Sequence, residues 1–356
     1  MNHKILIFLL SGIGDTLMFT PALRLLRLIY PKSEITALTM KQSEYDIMST
    51  NPDLDEVLFW PFLKKNPVSS LKFLFKLRKE KFDLSILPCP SNRIQYNVIS
   101  TICGARNRAG FHYLRQSRQN LDFLNNILIQ HIDHIHNVQH NVLLIEKLGM
   151  ASRHFFEKWS NQLVLKTTPS DVEQASRFLN MLWLDNTDFI ALHISSSRAK
   201  HMERKCWPKE SFLELIKRLT IKHPELKFLI ICGDEDAYES DWLMQNGGYN
   251  VHIVRDKPIR VIAEILKKSK LLITSDSGLL HVACAINVPS VAIFGPTNPR
   301  RSGPLNAKSK VVRNELPCSP CFYHTSKELS CDAGLNFQCI RELPVEKVIE
   351  ATTQYL

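Results

Sequence analysis

The sequence predicts an α/β protein of two Rossmann-like, doubly wound domains facing a cleft. Three observations predict it. The first forty residues run strand, tight glycine turn, helix, strand. A second alternating series begins at DFIALHISSS near Asp188. The chain, at 356 residues and 44% hydrophobic, is also long enough for two domains with a core each.

The opening unit reads KILIFLL as a buried strand, SGIGD as the turn, TLMFTPALRLLRLIYP as a helix and EITALTM as the next strand. Pro21 is expected early in that helix, where a missing N–H is tolerated, and Tyr30-Pro31 should stop it. EVLFW, a basic helix around Leu71 to Lys79 and FDLSILP continue the alternation, and Asn141 to Leu148 should close this half. The boundary falls near Thr167 to Asp171, giving domains 1–168 and 169–356. In the second half, helix SFLELIKRLTIK, strand KFLIIC, helix PIRVIAEILKKS and strands KLLIT and VPSVAIFG follow in turn. Ligands of open α/β sheets bind at the carboxyl ends of the strands, where Ser11 to Asp15 and Ser275 to His281 both fall.

Composition narrows the partners. A net charge of +10 favours anionic ones: phosphorylated substrates, an anionic membrane face or nucleic acid. No nucleic-acid motif is present, so nucleic acid is not expected. ILIFLL and FLIIC fall far short of the roughly 20 apolar residues of a spanning helix. ILIFLL also lacks the flanks of a signal peptide, and nine cysteines, an odd number, suit a reducing compartment. The expected location is the cytoplasm.

The segment from Thr274 to Leu305 carries the strongest chemical signal. After strand KLLIT, the residues Ser275, Asp276, Ser277 and Gly278 offer a helix N-cap and exposed backbone N–H groups, which attract anions. His281 falls in the first turn, near Asp276. The same pattern would serve an ordinary βαβ element in which Asp and Ser merely cap a helix. Ser11-Gly12-Ile13-Gly14-Asp15 resembles a phosphate loop but lacks both GxGxxG and the P-loop lysine. Gly12 and Gly14 let a ligand approach the backbone. Asp15, kept ionised by the helix start, could take a proton from an attacking hydroxyl, or could simply cap the helix.

Together the two motifs make the chain similar to the ADP-heptose:lipopolysaccharide heptosyltransferases, glycosyltransferase family 9. The likeness spans nearly the whole chain: LLSGIGDTLMFTPALRLLRLIYPKSEITAL, ARNRAGF at Ala105 to Phe111, LHISSS with KCWPKESFLELIKRL, and TSDSGLLHVACAINVPSVAIFGPTNP. The resemblance implies a GT-B arrangement, in which the first domain binds the acceptor and the second the nucleotide sugar, with inversion and no catalytic cofactor. It implies Asp15 as base, Ser195, Ser196 and Lys205 at the donor phosphates, and Asp276, Ser277, Gly278 and His281 holding the donor. Gly12 and Gly14 stand on the acceptor side, as do Arg106 and Arg108 in ARNRAGF, with Arg115 beyond, where they could meet acidic sugars or lipid phosphates. The acceptor would be a glycan or a lipid-linked core at the inner membrane, the enzyme peripheral to it. Alternatives are transfer to a polypeptide of the autotransporter type, or nucleotide-sugar binding without turnover. Gly12 and Ser277 replace the family's more usual Ser and Thr. The segment Arg198 to Arg204 is longer than usual and makes Arg198, Lys200 and Arg204 rival phosphate ligands.

Three further groups stand out. Glu235 or Asp236, after the strand ending in Cys232-Gly233, could accept from a ribose or be plain surface acids. Cys318, Cys321, Cys331 and Cys339 resemble a four-thiolate knuckle for structural zinc or iron. His131, His134, His136 and His140 match no ligand spacing and are expected at a solvated helix entry.

Overall fold

A computed structural model describes residues 2–114, 117–149, 159–197, 199–323 and 328–356. Arg115 and Arg198 lie outside the described residues. The chain divides into two compact units, the first running to Lys166 and the second starting at Thr167.

In the first unit, β1 (Lys4–Leu9), β2 (Glu34–Thr39), β3 (Glu56–Phe59), β4 (Leu84–Ile86), β5 (Asn107–His112) and β6 (Ile127–Gln130) form one parallel sheet in the order β3-β2-β1-β4-β5-β6. Continuous apolar runs suit a sheet covered on both faces, and Ile5, Leu6 and Ile7 of β1 have no exposed surface. Helices α1 (Ile13–Ile29), α2 (Gln42–Met48), α3 (Pro67–Lys79) and α4 (Ile94–Cys103) make the early connections. The strand order reverses at β1, whose neighbours are β2 and β4. A crevice opens at such a reversal, and α1 starts beside it.

Pro21 is not near the start of its helix, as the sequence suggested, but two turns inside α1. Helix formation already begins at Ile13. The carbonyl that proline leaves without a donor is satisfied locally: the Thr20 hydroxyl donates to Leu17 O at 2.7 Å. The same Thr20 Oγ1 accepts from Val164 N–H at 2.8 Å, and Trp159 Nε1–H donates to Pro21 O at 2.7 Å. The helix therefore continues through the proline.

The second unit repeats the plan. Strands β7 (Phe189–His193), β8 (Lys227–Cys232), β9 (Val251–Arg255), β10 (Leu271–Ser275), β11 (Ser290–Phe294) and β12 (Ser309–Arg313) pair in the order β12-β11-β10-β7-β8-β9, again parallel. Here the reversal lies between β7 and β10. Helix Pro169–Met181 opens the unit with a capping box: Thr168 Oγ1 accepts from Asp171 N–H, and Asp171 Oδ2 accepts from Thr168 N–H. Trp207, Phe212, Leu215 and Leu219 fill the core with the strands. Among the described residues no helix is long and apolar enough to cross a membrane.

Thr20→Val keeps the shape of the side chain but strands the Leu17 carbonyl and the Val164 amide. The urea-unfolding transition should lose about 1–3 kcal/mol, while Thr20→Ser stays near the parent.

Candidate active site

The second unit gathers polar groups at the carboxyl ends of β7 and β10. Lys205 Nζ lies 2.8 Å from Asp276 Oδ2, and both side chains are buried. Burial alone would raise the Asp276 carboxyl, but Lys205, Thr297 and His281 outweigh it and hold the group below the usual carboxylate range. Two hydrogen bonds fix the lysine's segment. Trp207 N–H donates to Ser275 Oγ at 3.0 Å, and Trp207 Nε1–H to Leu343 O at 3.2 Å. Ser275 thus has no exposed surface, and its hydroxyl holds this segment.

Helix Gly278–Ala285 starts immediately after Asp276 and Ser277, and no side chain caps its N-cap Ser277. The Ser277 hydroxyl is used instead by His193 Nδ1 at 3.0 Å and Thr274 Oγ1 at 2.9 Å. Free of a side-chain cap, the first amides of this helix point their partial positive charge outwards. Gly278 is half-buried at that start, and His281 is buried one turn along.

His193 was not singled out from the sequence. Desolvation pulls its imidazole down to about 4, with Asp236 acting in opposition, so at neutral pH the ring is uncharged and can bridge hydroxyls. Its Nε2 lies 3.5 Å from Ser195 Oγ. Beside it is a cavity of about 520 Å³ lined by Ser195, Ser196, Glu203, Lys209, Asp236 and Glu239, among others. Of the two candidate ribose acceptors, Asp236 lines this space, whereas Glu235 is exposed. Lys209 and Glu239 were also missed. The Lys209 ammonium sits over the rings of Tyr238 and Trp242 at 4.6 and 4.8 Å, a contact across folded elements that no spacing rule reports.

In the first unit Asp15 occupies the first turn of α1, whose N-cap Gly12 carries no side-chain cap. Gly12 is extended, so no turn there demands glycine, and a Cβ would meet nothing within 4 Å. What its absence leaves is open space before the helix start. Gly14 follows in the same turn, half-buried. Glu44, near enough to act on Asp15 electrostatically, is fully buried in α2. Its Oε2 accepts from Lys41 N–H at 2.8 Å, and among the described residues no hydrogen bond reaches Oε1.

The sequence profile of glycosyltransferase family 9 (heptosyltransferase) matches residues 70–331. The chain belongs to this family. It is therefore a glycosyltransferase. It is 26% identical over 322 residues to lipopolysaccharide heptosyltransferase 1 of Campylobacter coli, covering 87% of this chain and 89% of that one. Among solved structures it is similar to the E. coli ADP-heptose lps heptosyltransferase II, with a TM-score of 0.72 and 18% identity over 99% of this chain and 98% of the other. It is also similar to the E. coli heptosyltransferase WaaC with ADP-2-deoxy-2-fluoro heptose, with a TM-score of 0.67 and 18% identity over 99% and 100%. The two-sheet α/β fold of this family member is thus the heptosyltransferase fold.

Two expectations need correction. Arg106 and Arg108 do not reach the edge where Asp15 begins α1. Arg108 is level with Ser85 and, through it, with Leu6, towards the amino ends of the strands. Its guanidinium donates to Leu124 O and Ala105 O, which makes it a structural tie. Arg106 precedes it, exposed.

The histidine run is not a solvated entry. Only His134 is exposed, while His131, His136 and His140 are buried. His131 and His140 stack at 4.4 Å and 2°, with Tyr113 stacked on His131, and their nitrogens come within 4.8 Å of Cys89 Sγ. Imidazole lone pairs lie in the ring plane and two parallel planes share no point, so this stack is packing and does not chelate.

The four cysteines 318, 321, 331 and 339 lie close enough for their charges to interact but do not converge within 4.8 Å. Burial, then the other three sulfurs, push the Cys339 thiol up to about 11.

Desolvation raises Glu44 to about 7, against the Lys41 charge and amide; Asp15 adds to the rise. A carboxyl whose folded pKa exceeds its unfolded value of 4.5 stabilises the fold fully below 4.5 and loses that contribution as pH rises through about 7. The shift corresponds to about 3 kcal/mol. Glu44→Gln removes the titration, so its thermal stability should fall less than the parent's from about pH 5 to about pH 8. Equal slopes would show that Glu44 ionises normally.

Proposed function

We propose that the chain transfers a heptose from ADP-heptose to a lipopolysaccharide core, by single displacement with inversion. Residues 169–356 hold the donor and residues 1–168 receive the acceptor. The observation that carries the reading is the uncapped helix start at Ser277, set at a sheet reversal beside the buried Lys205–Asp276 pair. Backbone amides and an ammonium held by a neighbouring carboxylate suit a diphosphate leaving group. Family membership and the ADP-heptose named for the E. coli relatives support the choice of donor.

In this reading the acceptor hydroxyl oxygen attacks the anomeric carbon. The bond from that carbon to the diphosphate oxygen breaks, and its electron pair leaves with ADP. Asp15 takes the hydroxyl proton. Lys205, Ser195, Ser196, Ser277 and Gly278 bear on the phosphates, Asp236 on the ribose, and Asp276 and His281 fix the donor's position. Neutral His193 orients the Ser195 and Ser277 hydroxyls. The acceptor is lipid-linked, so the enzyme works as a peripheral protein at the inner face of the membrane.

Asp15→Asn should lower kcat about 100-fold to 10,000-fold, the contribution of a positioned base, while calorimetric ADP binding stays near the parent's. ADP should bind more tightly than UDP or GDP, with Asp276→Ala and His281→Ala both weakening it. Preference for another nucleotide would replace the donor, and full activity in Asp15→Asn would remove the base.

We further propose that Cys318, Cys321, Cys331 and Cys339 hold one structural zinc or iron ion. Four thiols within reach of one another's charge form a suitable soft donor set, and the ion takes no part in transfer. Elemental analysis of protein purified without chelator should find about one ion per chain, lost in Cys318→Ser with Cys321→Ser. Absence of stoichiometric metal would end this assignment.

A further inference from the structure

Helix α3 has two apolar faces, and only one is covered. Phe73, Leu74 and Leu77 pack into the first unit's core, with Trp60 stacked on Phe73 at 4.2 Å. At about 100° per residue, Val68, Leu71 and Phe75 share the opposite side. These are 64%, 43% and 50% exposed, and Leu63, just before the helix, is 79% exposed. Elsewhere in the described first unit exposed large hydrophobics occur singly, at Phe59, Ile94, Leu114, Phe123 and Leu143. A recurring stripe of this kind marks an interaction surface.

The charges around the stripe say what it fits. Lys72 and Lys79 lie on the same face as Val68 and Phe75, with Lys76 at its edge, and Lys64 and Lys65 flank Leu63; all five are exposed. From Val57 to Phe82 the basic residues Lys64, Lys65, Lys72, Lys76, Arg78, Lys79 and Lys81 face a single acid, Glu80. Among the described residues none of the five exposed lysines pairs with a carboxylate, and Glu80 bridges to Lys4. Lys76 also lines a hollow with Glu56 and Glu80, which places part of its charge away from the stripe. The exposed side of the helix carries an apolar line with lysines along one side. That is the arrangement of a helix lying flat in a bilayer surface, with lysine stems extended to the headgroups.

We propose that the α3 face, with Leu63 to Lys65, docks the enzyme on an anionic lipid surface, Val68, Leu71 and Phe75 entering the headgroup layer and the lysines meeting its phosphates. The proposal deepens the reading of a lipid-linked acceptor and rests on it for its setting, yet uses no residue of the donor or base sites. Attachment of this kind combines an electrostatic and an apolar part, so salt weakens it without abolishing it.

The test is co-sedimentation of the full chain with vesicles of phosphatidylcholine alone and of phosphatidylcholine with phosphatidylglycerol, with ADP titration as a control for folding. The parent should sediment with the anionic vesicles and little with the neutral ones. Leu71→Ser with Phe75→Ser, and separately Lys72→Gln with Lys79→Gln, should each weaken that binding at least about tenfold, with ADP binding unchanged. No binding by the parent, or undiminished binding by both variants, overturns the proposal. Self-association of the parent without lipid, abolished in both variants, also overturns it and assigns the face to a second copy. If the parent binds vesicles but not ADP, the donor reading has failed and the docking surface stands.

Discussion

Parallel pairing is the constraint on which the rest of the structure depends. A strand can pair in parallel with its predecessor only after a crossover, and in these sheets the crossovers are helices that begin at the carboxyl ends of the strands. Every such helix start carries partial positive charge on amides that need partners. In each unit the chain first winds one way from its first strand, β1 or β7, and then returns to that strand's other side with β4 or β10. The reversal holds two helices apart and leaves the strand ends open. Asp15 stands at such an edge in the first unit, and Asp276 with Ser277 in the second.

Within that frame, burial sets the electrostatics. Lys205 and Asp276 are removed from water together, which costs both groups their hydration. The cost is offset by a 2.8 Å contact and by Thr297 and His281 acting on the carboxylate. Ser275 and Trp207 hold the lysine's segment against β10, so that the ammonium is fixed before any ligand arrives. His193 shows the opposite outcome of enclosure: without a close enough anion, its ring is driven to the neutral form and serves as a hydrogen-bonding bridge. In the first unit Glu44 is likewise driven towards its neutral form, which spares Asp15 a second negative charge close by.

Local pattern determined the alternation, the strongly apolar strands β1, β8, β10 and β11, the long amphipathic helices and the two chemical motifs, because each is written in consecutive residues or in helical spacing. Family 9 membership was likewise legible from motifs carried by contiguous residues. Short or polar elements were not legible: α2, α4 and β12 are stabilised by what they pack against, and QSEYDIM or SKVVR has little intrinsic signal. Only the tertiary structure decided that Arg108 ties a loop instead of facing a substrate, that three of the four histidines are core, and that Lys205 pairs with Asp276. It alone showed that one face of α3 is left uncovered. Each of these depends on which distant segment arrives at a side chain, and burial and pairing across the sheet are properties of the arrangement that no window of sequence contains.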